Sequence, residues 1–459
     1  MPLVPLDLVQ QFEGRRVDVL AVVVEWGIPK VTGGSDMKMG LVIVDSSERE
    51  LNVTMFLPRP NDFPAYIEPG DVIHLSHVKI RIYQNELFAT FMKKFSKYAI
   101  YRGSHIGNYD PYLPLHASLR APLNNILQHE IRRLRLWYPN FHLSAGKRQY
   151  LLSLKELRTN NSEEKIYFDL VCKVLHIAEN DDHEMVLYVW DGTDAPQCIN
   201  NKIFYNEDVN PLPIRNDLNS LPRSVLNRFP KAGTILKLTV YVDVQTFAAK
   251  YFDFNDRWVR MRNIYTQYLH HGMWEAATDD LKIRILPDTD LMVKECAKNY
   301  VERMAKSQCM PVSYNPSTTQ LTEIVIPNND RVGYSTLLNV VACEEVGHIF
   351  KCVVRIVALR PAEVIDDYRL TLEDPTTRIH VFLTTNDEQL FLDFIDGSVS
   401  YDIVSSKFNK LLGTPQDEMT RVYGFFSPPW IECILKTSLA DPMDVNGSRK
   451  YHLVCTRVI

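Results

Sequence analysis

The stretch LYVWDGTD, residues 187–194, reads as a β-strand that stops at an aspartate, and similar stretches occur twice more in the chain. LVIVDS spans residues 41–46, and LTLEDPT spans residues 370–376. Aspartate suits a turn because its carboxylate accepts hydrogen bonds from backbone amides two residues further on. An apolar-rich run begins at a similar distance before each aspartate: 28 residues from Val17 to Asp45, 23 from Phe168 to Asp191 and 24 from Phe350 to Asp374. This spacing predicts that one strand–strand–turn unit occurs three times.

Further strands are expected after each turn. We place the second strand of each hairpin at ELNVTMFL (50–57), APQCI (195–199) and RIHVFL (378–383). In two copies a glycine then opens a strand of alternating apolar residues, PGDVIHLSHVKI at 69–80 and KAGTILKLTVYV at 231–242. A long strand, a hairpin that turns at Asp, a Gly-led strand and a final strand describe a five-stranded Greek-key barrel of the OB type.

The predicted fold class is therefore mainly β with helical connectors, in a tandem array of three OB-fold barrels. Apolar residues recur at helical spacing (Ile126, Ile131, Leu134) in residues 124–138, and residues 291–306 read similarly. The alternative is a set of unrelated β-sandwich domains. We expect a first OB fold at 1–115, a part-helical connector at 116–159, a second OB fold at 160–290, a linker at 291–329 and a C-terminal OB-like domain at 330–459.

Composition narrows the class of protein. The chain has 459 residues with 46% hydrophobic and 23% charged residues, which is ordinary for soluble globular domains. The N-terminus lacks a secretory signal, and the longest apolar stretch is too short to span a membrane. None of the eight cysteines forms a CxxC pair or a zinc-ligand spacing, so we expect reduced thiols, no metal and no cofactor. Motifs typical of enzymes are missing, which predicts a binding protein.

Charge is distributed unevenly along the chain. The net charge is −5, yet residues 79–102 hold six Lys/Arg against one Glu, and residues 120–158 hold eight against two. Residues 362–402 are instead rich in Asp and Glu, and such a surface repels phosphate. This distribution of charge favours nucleic-acid binding by the first two barrels and binding of a protein partner by the third.

OB barrels hold single strands by aromatic stacking beside a cationic groove. In HVKIRIY, polar residues alternate with apolar ones, which puts the polar side chains on one face of a strand. The alternatives are a solvated strand face for these residues and a core position for single aromatics of the second barrel. The candidate nucleic-acid contacts are Trp26, Lys30, Ser35, Asp36, Phe56, His77, Lys79, Arg81 and Tyr83 in the first barrel, with Trp258, Arg260 and His271 in the second.

Several motifs resemble one known family. VVVEWGIPKVTGGSDMKMGLVIVD and PGDVIHLSHVKIRIY resemble the first OB fold of protection-of-telomeres proteins, and YFDLVCKVL and LYVWDGT resemble their second. RWVRMRN, HHGMW and LKIRILPD look most like the plant-type branch, and SPPWIECILKTS is similar to the C-terminal barrel. The chain departs from the family at Met37, where an aromatic often stands, at Gly33, where a basic residue can stand, and in lacking the paired cysteines of the animal zinc insertion.

The resemblance implies binding of G-rich single-stranded telomeric DNA in the nucleus, at the telomeric region of chromosomes, with protection of the overhang and regulation of telomerase access. It implies that Trp26 stacks on a base, that Ser35 and Asp36 contact base edges, and that Phe56, His77, Lys79 and Tyr83 line the groove. In the second barrel it implies Tyr167, Trp258, Arg260 and His271 as candidate contacts. It also implies telomerase or telomere accessory proteins as partners of the C-terminal domain. The alternatives are a telomerase-associated interaction protein that binds DNA weakly or not at all and, more remotely, a general single-strand or RNA-binding protein of replication.

Overall fold

The protein is described by a computed structural model. It describes residues 2–64, 67–83, 86–103, 112–118, 124–141, 150–157, 165, 167–179, 184–198, 221–226, 228–241, 254–268, 274–308, 333–360, 369–383, 411–413, 425–439, 441, 443 and 449–458.

The described residues form three closed barrels of five strands each, with the same strand order. In each barrel the strands pair in the order 1-2-3-5-4 and back to 1, and strands 3 and 5 run parallel. This is the Greek-key closure of an OB fold, so the predicted fold class is confirmed. The barrel strands of the first unit are β1 (Arg16–Gly27), β3 (Met37–Val44), β4 (Glu50–Leu57), β5 (Val72–Tyr83) and β6 (Glu86–Met92).

Three short strands accompany the first barrel: β2 (Lys30–Val31) pairs with β3, and β7 (Lys97–Tyr101) extends the sheet from β5 to β8 (His116–Ala117). Helix α1 (Asn125–Trp137) follows, where the helical spacing predicts it, and the side chain of Asn124 caps its N-terminus. The helix buries Leu127, Ile131 and Leu134 against the outside of β1 and β3. Ile126, which the spacing places on the apolar face, is exposed.

The second barrel has the same strand order, with a longer segment between its second and third strands. Its strands are β9 (Tyr167–Glu179), β10 (Met185–Trp190), β12 (Leu236–Val240), β13 (Trp258–Tyr268) and β14 (Trp274–Thr278), with α2 (Arg223–Leu226) before β12 and β15 (Lys282–Ile285) after β14. The expectation that residues 195–199 form the third strand is wrong. The Gly-led segment supplies that strand instead, and β11 (Gln197–Cys198) pairs with a strand of the third domain.

Helix α3 (Leu291–Gln308) and helix α4 (Leu337–Ala342) precede the third barrel. Its strands are β16 (Ile349–Arg360), β17 (Arg369–Glu373), β18 (Arg378–Phe382), β20 (Ile431–Leu439) and β21 (Arg449–Val458), and β19 (Phe425–Phe426) is the partner of β11.

A buried aspartate at the first turn of each barrel makes the same pair of contacts. One carboxylate oxygen accepts from the amide two residues on: Asp45 from Ser47 at 3.0 Å, Asp191 from Thr193 at 2.8 Å and Asp374 from Thr376 at 2.8 Å. The other oxygen accepts from the amide of a leucine in the segment that leads into the barrel: Leu6 at 2.8 Å, Leu154 at 2.8 Å and Leu337 at 2.7 Å. We call this arrangement the aspartate clamp.

The lead-in segments are part of the barrels that they precede. A single parallel bridge joins each segment to the first strand, three residues before the clamped leucine: Leu3 to Asp18, Leu151 to Asp169 and Tyr334 to Lys351. Each clamped leucine lies in the core of its own barrel. Residues 151–157, expected in the connector, therefore pack with the second barrel.

The barrels are joined by strand pairing and by buried charges. Strand β15 pairs with β13 and with β1, so the strands of the first two barrels form one continuous sheet. The third barrel contacts the second where the buried guanidinium of Arg355 donates to the carbonyl of Ala195 at 3.2 Å and to Glu373. Burial opposes ionisation of Glu373, but Arg355 and Arg378 together lower its pKa to about 2.

Within the described part of the chain, no helix is long and apolar enough to cross a membrane. The same residues contain no group of three or more His, Cys, Asp or Glu side chains placed to hold a metal ion. Five cysteines of these residues are free thiols: Cys172, Cys296, Cys343, Cys352 and Cys433.

The aspartate clamp predicts a stability effect. Asp191→Asn keeps the size of the side chain but replaces a carboxylate oxygen with an NH₂ group, which cannot accept from a buried amide. We expect the free energy of unfolding to fall by about 1–3 kcal/mol, as for a buried donor left without its acceptor. Urea denaturation measures the change, with the exposed Asp288→Asn as control. Equal stability of the two variants would contradict the clamp.

Candidate nucleic-acid interface

Cross-strand pairing places polar and aromatic residues in rows on the outward face of the first barrel. Directly paired residues share one side of a sheet. Met39, Met55 and Ile80 lie in the barrel core and so mark the side of the sheet that faces inward. Their neighbours in the sequence therefore point outward. The outward rows are Lys30–Lys38–Phe56–Met92, then Gly40–Thr54–Thr90–Lys79, then Asn52–Phe88–Arg81. We call this surface the first-barrel face.

The first-barrel face offers rings beside cations. Phe56 and Phe88 are half-buried, so each ring is held by the sheet and still reaches solvent. Lys38 lies opposite Phe56, and the exposed Arg81 lies opposite Phe88. The structure thus brings together four of the sequence candidates: Lys30, Phe56, Lys79 and Arg81.

Phe88 lies on this face but was not among the sequence candidates. The signal for it is the alternation in ELFATFM, residues 86–92, where Leu87, Ala89 and Phe91 contact the core and Phe88 falls between them. The ring of Phe88 therefore points away from the core of the first barrel. Such a position favours a binding role.

The loop before β3 is ordered by its own hydrogen bonds. The hydroxyl of Thr32 donates to the carbonyl of Asp36 at 2.5 Å and accepts from the amide of Gly34 at 3.2 Å. Ser35 is exposed and Asp36 is half-buried at the end of this loop, next to the start of β3. Both residues therefore stand at the edge of the first-barrel face.

Trp26 lies elsewhere than expected for a stacking residue. Its side chain is 4% exposed and packs in the core of the first barrel. The reason is the pairing of β1 on both sides: Trp26 lies opposite Leu41 of β3 and opposite Ile283 of β15, which belongs to the second barrel. The ring is therefore not open to a base in this structure, contrary to the sequence-based expectation.

His77 and Tyr83 lie at the two ends of the outward part of β5. His77 is exposed with φ of 58°, and its amide donates to a carboxylate oxygen of Asp18 at 2.8 Å. Pairing of β5 with β1 is irregular here, so His77 stands at a bulge beside the face. The backbone of Tyr83 pairs with Glu86 at the end of β5. His271 lies outside the described residues.

Two candidates of the second barrel are buried. Trp258 is 7% exposed, and its ring lies 5.9 Å from that of Tyr300 on α3. Arg260 is 5% exposed and donates to Asp169 on the neighbouring strand at 2.6 Å. The expectation that these two side chains face a ligand is not met in this structure, because each has a partner within the protein.

The nearby arginines of the second barrel hold the two barrels together. Arg262 donates to Glu25 of the first barrel at 3.0 Å, and Nε of Arg284 lies 3.3 Å from the same carboxylate. Arg284 also donates to Glu50 at 3.2 Å. Glu25 is 1% exposed, so its pairs with Arg262 and Arg284 lie inside the junction. We call this set of side chains the junction ion cluster.

Tyr167 remains accessible. It is exposed at the start of β9, and its ring lies 5.5 Å from that of Tyr265. Lys165 lies 4.1 Å from the centre of the Tyr265 ring and 3.5 Å from the carboxylate of Asp279. Lys30 of the first barrel reaches Asp280 at 3.1 Å, so the two accessible regions meet at the turn formed by residues 279 and 280.

The burial of Arg260 predicts a structural role. Arg260→Ala leaves Asp169 buried without this partner, and breaking a buried ion pair costs about 3–5 kcal/mol of stability. The exposed Arg257→Ala is the matched control on the same strand region. Thermal unfolding of both variants measures the difference. A stable Arg260→Ala protein that has lost only its nucleic-acid binding would contradict this placement.

Comparison with known proteins gives consistent matches along the chain. A family model described as telomeric single stranded DNA binding POT1/CDC13 matches residues 2–157. A model for the ssDNA-binding domain of telomere protection protein matches residues 158–307, and one for a POT1A-like OB fold domain matches residues 318–444.

Curated relatives agree with these models. Protection of telomeres protein 1b of Arabidopsis thaliana is 27% identical over 457 residues, covering 96% of this chain and 94% of the relative. Protection of telomeres protein 1a of the same plant is 24% identical over 475 residues, covering 97% and 95%. Protection of telomeres protein 1 of Homo sapiens is 27% identical over 183 residues, covering 40% of this chain and 27% of the human protein. Three successive domain matches and relatives of matching length show that the chain belongs to the protection-of-telomeres family.

Proposed function

We propose that this chain binds G-rich single-stranded telomeric DNA at chromosome ends, protects the overhang and regulates the access of telomerase. The observation that carries the proposal is the first-barrel face, where Phe56 lies beside Lys38 and Phe88 lies beside Arg81. Single strands are held by stacking of bases on such rings and by cations that follow the backbone. Membership of the protection-of-telomeres family supports telomeric DNA as the ligand. No catalytic step is part of this function.

The roles of the side chains follow from their chemistry. Phe56 and Phe88 offer flat apolar surfaces to two bases, while Lys79 and Arg81 meet phosphates along the neighbouring strand. Asp36 accepts hydrogen bonds only, so it suits the amino groups of guanine or cytosine. Ser35 both donates and accepts, and it lies beside Asp36 at the loop end.

The second barrel extends the binding surface through Tyr167 and Lys165. The exposed ring of Tyr167 offers a further stacking position, and Lys165 places a cation next to it. Because β15 fixes the two barrels to one another, a strand that leaves the first-barrel face passes the turn at residues 279 and 280 before it reaches Tyr167.

The third barrel is assigned to a protein partner from the telomere or telomerase machinery. The acidic composition of residues 362–402 supports this role, since such a segment disfavours phosphate. The chain would act in the nucleus, at the telomeric region of chromosomes.

A second candidate function is a telomerase-associated interaction protein that binds DNA weakly or not at all. One observation favours it: Trp26, Trp258 and Arg260, three of the candidate DNA contacts from the sequence, are all buried in the protein. The first-barrel face then binds DNA weakly or not at all, and the third barrel becomes the main functional surface.

The proposal predicts the effect of removing single rings. Phe56→Ala and Phe88→Ala should each weaken binding of a G-rich strand by about 1–3 kcal/mol, the usual contribution of one stacked base. Fluorescence anisotropy with a labelled G-rich oligonucleotide measures the change. Tyr150→Ala, which removes an exposed ring in the lead-in to the second barrel, is the control and should bind normally.

Competitors complete this experiment. Unlabelled G-rich DNA should displace the labelled strand, whereas C-rich and scrambled strands should not, and an RNA version tests the sugar preference. Failure of the folded wild-type protein to bind any of these strands at moderate salt would contradict the proposal and favour the second candidate function.

A further inference from the structure

Three lysines from two barrels converge beside the first-barrel face. Lys30 and Lys38 are cross-strand partners on β2 and β3, and Lys282 opens β15 of the second barrel. The side chain of Lys282 crosses Gly40, a residue of the face: a methyl group built on Gly40 would lie 3.4 Å from Cε of Lys282. The second barrel therefore contributes a cation to the surface of the first.

One carboxylate stands among these lysines. Asp280 lies 3.1 Å from Nζ of Lys30 and 4.0 Å from Nζ of Lys38, one carboxylate oxygen for each. Its backbone is held separately: the carbonyl accepts from the side chain of Asn263 at 3.0 Å, and the amide donates to Thr278 at 3.2 Å. The carboxylate can thus turn away while the backbone of the turn keeps its place.

Among the described residues, the carboxylate that pairs with these lysines is that of Asp280, which reaches Lys30 and Lys38. The carboxylate of Asp279 is directed to Lys165, and only its carbonyl accepts from Lys30, at 3.3 Å. Burial lowers the pKa of Lys38, and the positive charges of Lys30 and Lys282 act in the same direction against Asp280. A further anion between these lysines would relieve this repulsion.

We infer that Lys30, Lys38 and Lys282 bind one backbone phosphate of the single strand where it passes from the first barrel to the second, and that the carboxylate of Asp280 holds this position in the absence of DNA. The inference rests on the proposed function and deepens it, because it names the residues that hold the strand between the two barrels. Asp280 then acts as a competitor that the strand must displace.

The chemistry of the site favours a phosphate over a base. Each lysine is a compact point charge with rotatable donors, which suits phosphate oxygens rather than the planar edge of a base. The neighbouring Phe56 supplies the stacking surface, so a base on that ring leaves its phosphate within reach of Lys38. The side chains are also accessible, with 38% of Lys38 and 40% of Asp280 exposed.

Neutralising the carboxylate tests the competition. Asp280→Asn should bind the labelled G-rich strand about two- to fivefold more tightly at moderate salt, the range expected for a partly exposed ion pair. The plot of log affinity against log salt should become steeper by up to about 0.7, the value for one phosphate contact of a single strand. Asp288→Asn removes the same charge from an exposed position nearby and should leave both quantities unchanged.

Removing a lysine gives the opposite result. Lys282→Gln should weaken binding severalfold and make the salt slope shallower by about 0.7. Thermal midpoints of all variants establish that each is folded. Wild-type affinity and slope in both Asp280→Asn and Lys282→Gln would overturn the inference while leaving the proposed function intact.

The same experiment tests the inference if the wild-type protein does not bind the labelled strand. Binding by Asp280→Asn but not by the wild-type protein would support Asp280 as the competitor. If neither protein binds any strand, this inference and the proposed function both fail.

Single uncharged linkages locate the phosphate. In a set of strands that each carry one methylphosphonate, the gain of Asp280→Asn over the wild-type protein should disappear at one linkage and persist at the others. A gain that is equal at every linkage would show a general charge effect and would overturn the assignment of a site.

Discussion

The aspartate clamp is the interaction on which the rest of this structure depends. In each barrel one buried carboxylate binds the turn after strand 2 with one oxygen and the lead-in segment with the other. Two distant parts of the chain are fixed by a single side chain, and the clamped leucine is part of the core. Burial raises the pKa of Asp191 and Asp374, and the amide hydrogen bonds counteract this shift. The buried carboxylate therefore stabilises the protein only where both amide donors are present, and both are in place only in the folded barrel.

The clamp ties the lead-in segment to the turn after strand 2, and in the first barrel part of the outward side of strands 2, 3 and 5 stays accessible. Helix α1 covers the part of that side in the first barrel where Val42 and Val44 point outward. The remaining part carries Lys38, Phe56 and Phe88. The junction ion cluster then fixes the orientation of the second barrel through Glu25 and Arg284. Buried ion pairs contribute little net stability, and a role in fixing one orientation accounts for them better. Lys282 reaches the first-barrel face as a result.

The sequence predicts the parts of this fold that depend on local pattern. The three aspartate turns, the helix over residues 125–137 and the alternation that puts Lys79 and Arg81 on one face all follow from neighbours in the chain. Phe56 and Tyr167, two of the sequence candidates, have accessible side chains. These features need no knowledge of how the barrels contact each other.

The remaining features depend on contacts between distant residues. Trp26 is buried because a strand more than 250 residues further along the chain pairs beside it, and Arg260 is neutralised by Asp169, 91 residues away in sequence. Residues 195–199 resemble a third strand, but β11 pairs with β19 of the third domain. In the sequence, an aromatic or cationic residue that contacts DNA looks the same as one that packs against another part of the protein. Only the packing of the barrels separates the two cases.

The most direct test of this account is the structure of the chain bound to a G-rich single strand. The account predicts bases on Phe56 and Phe88, and a strand that runs past the turn at residues 279 and 280 towards Tyr167. A strand bound on another surface, with the first-barrel face left open to solvent, would contradict it.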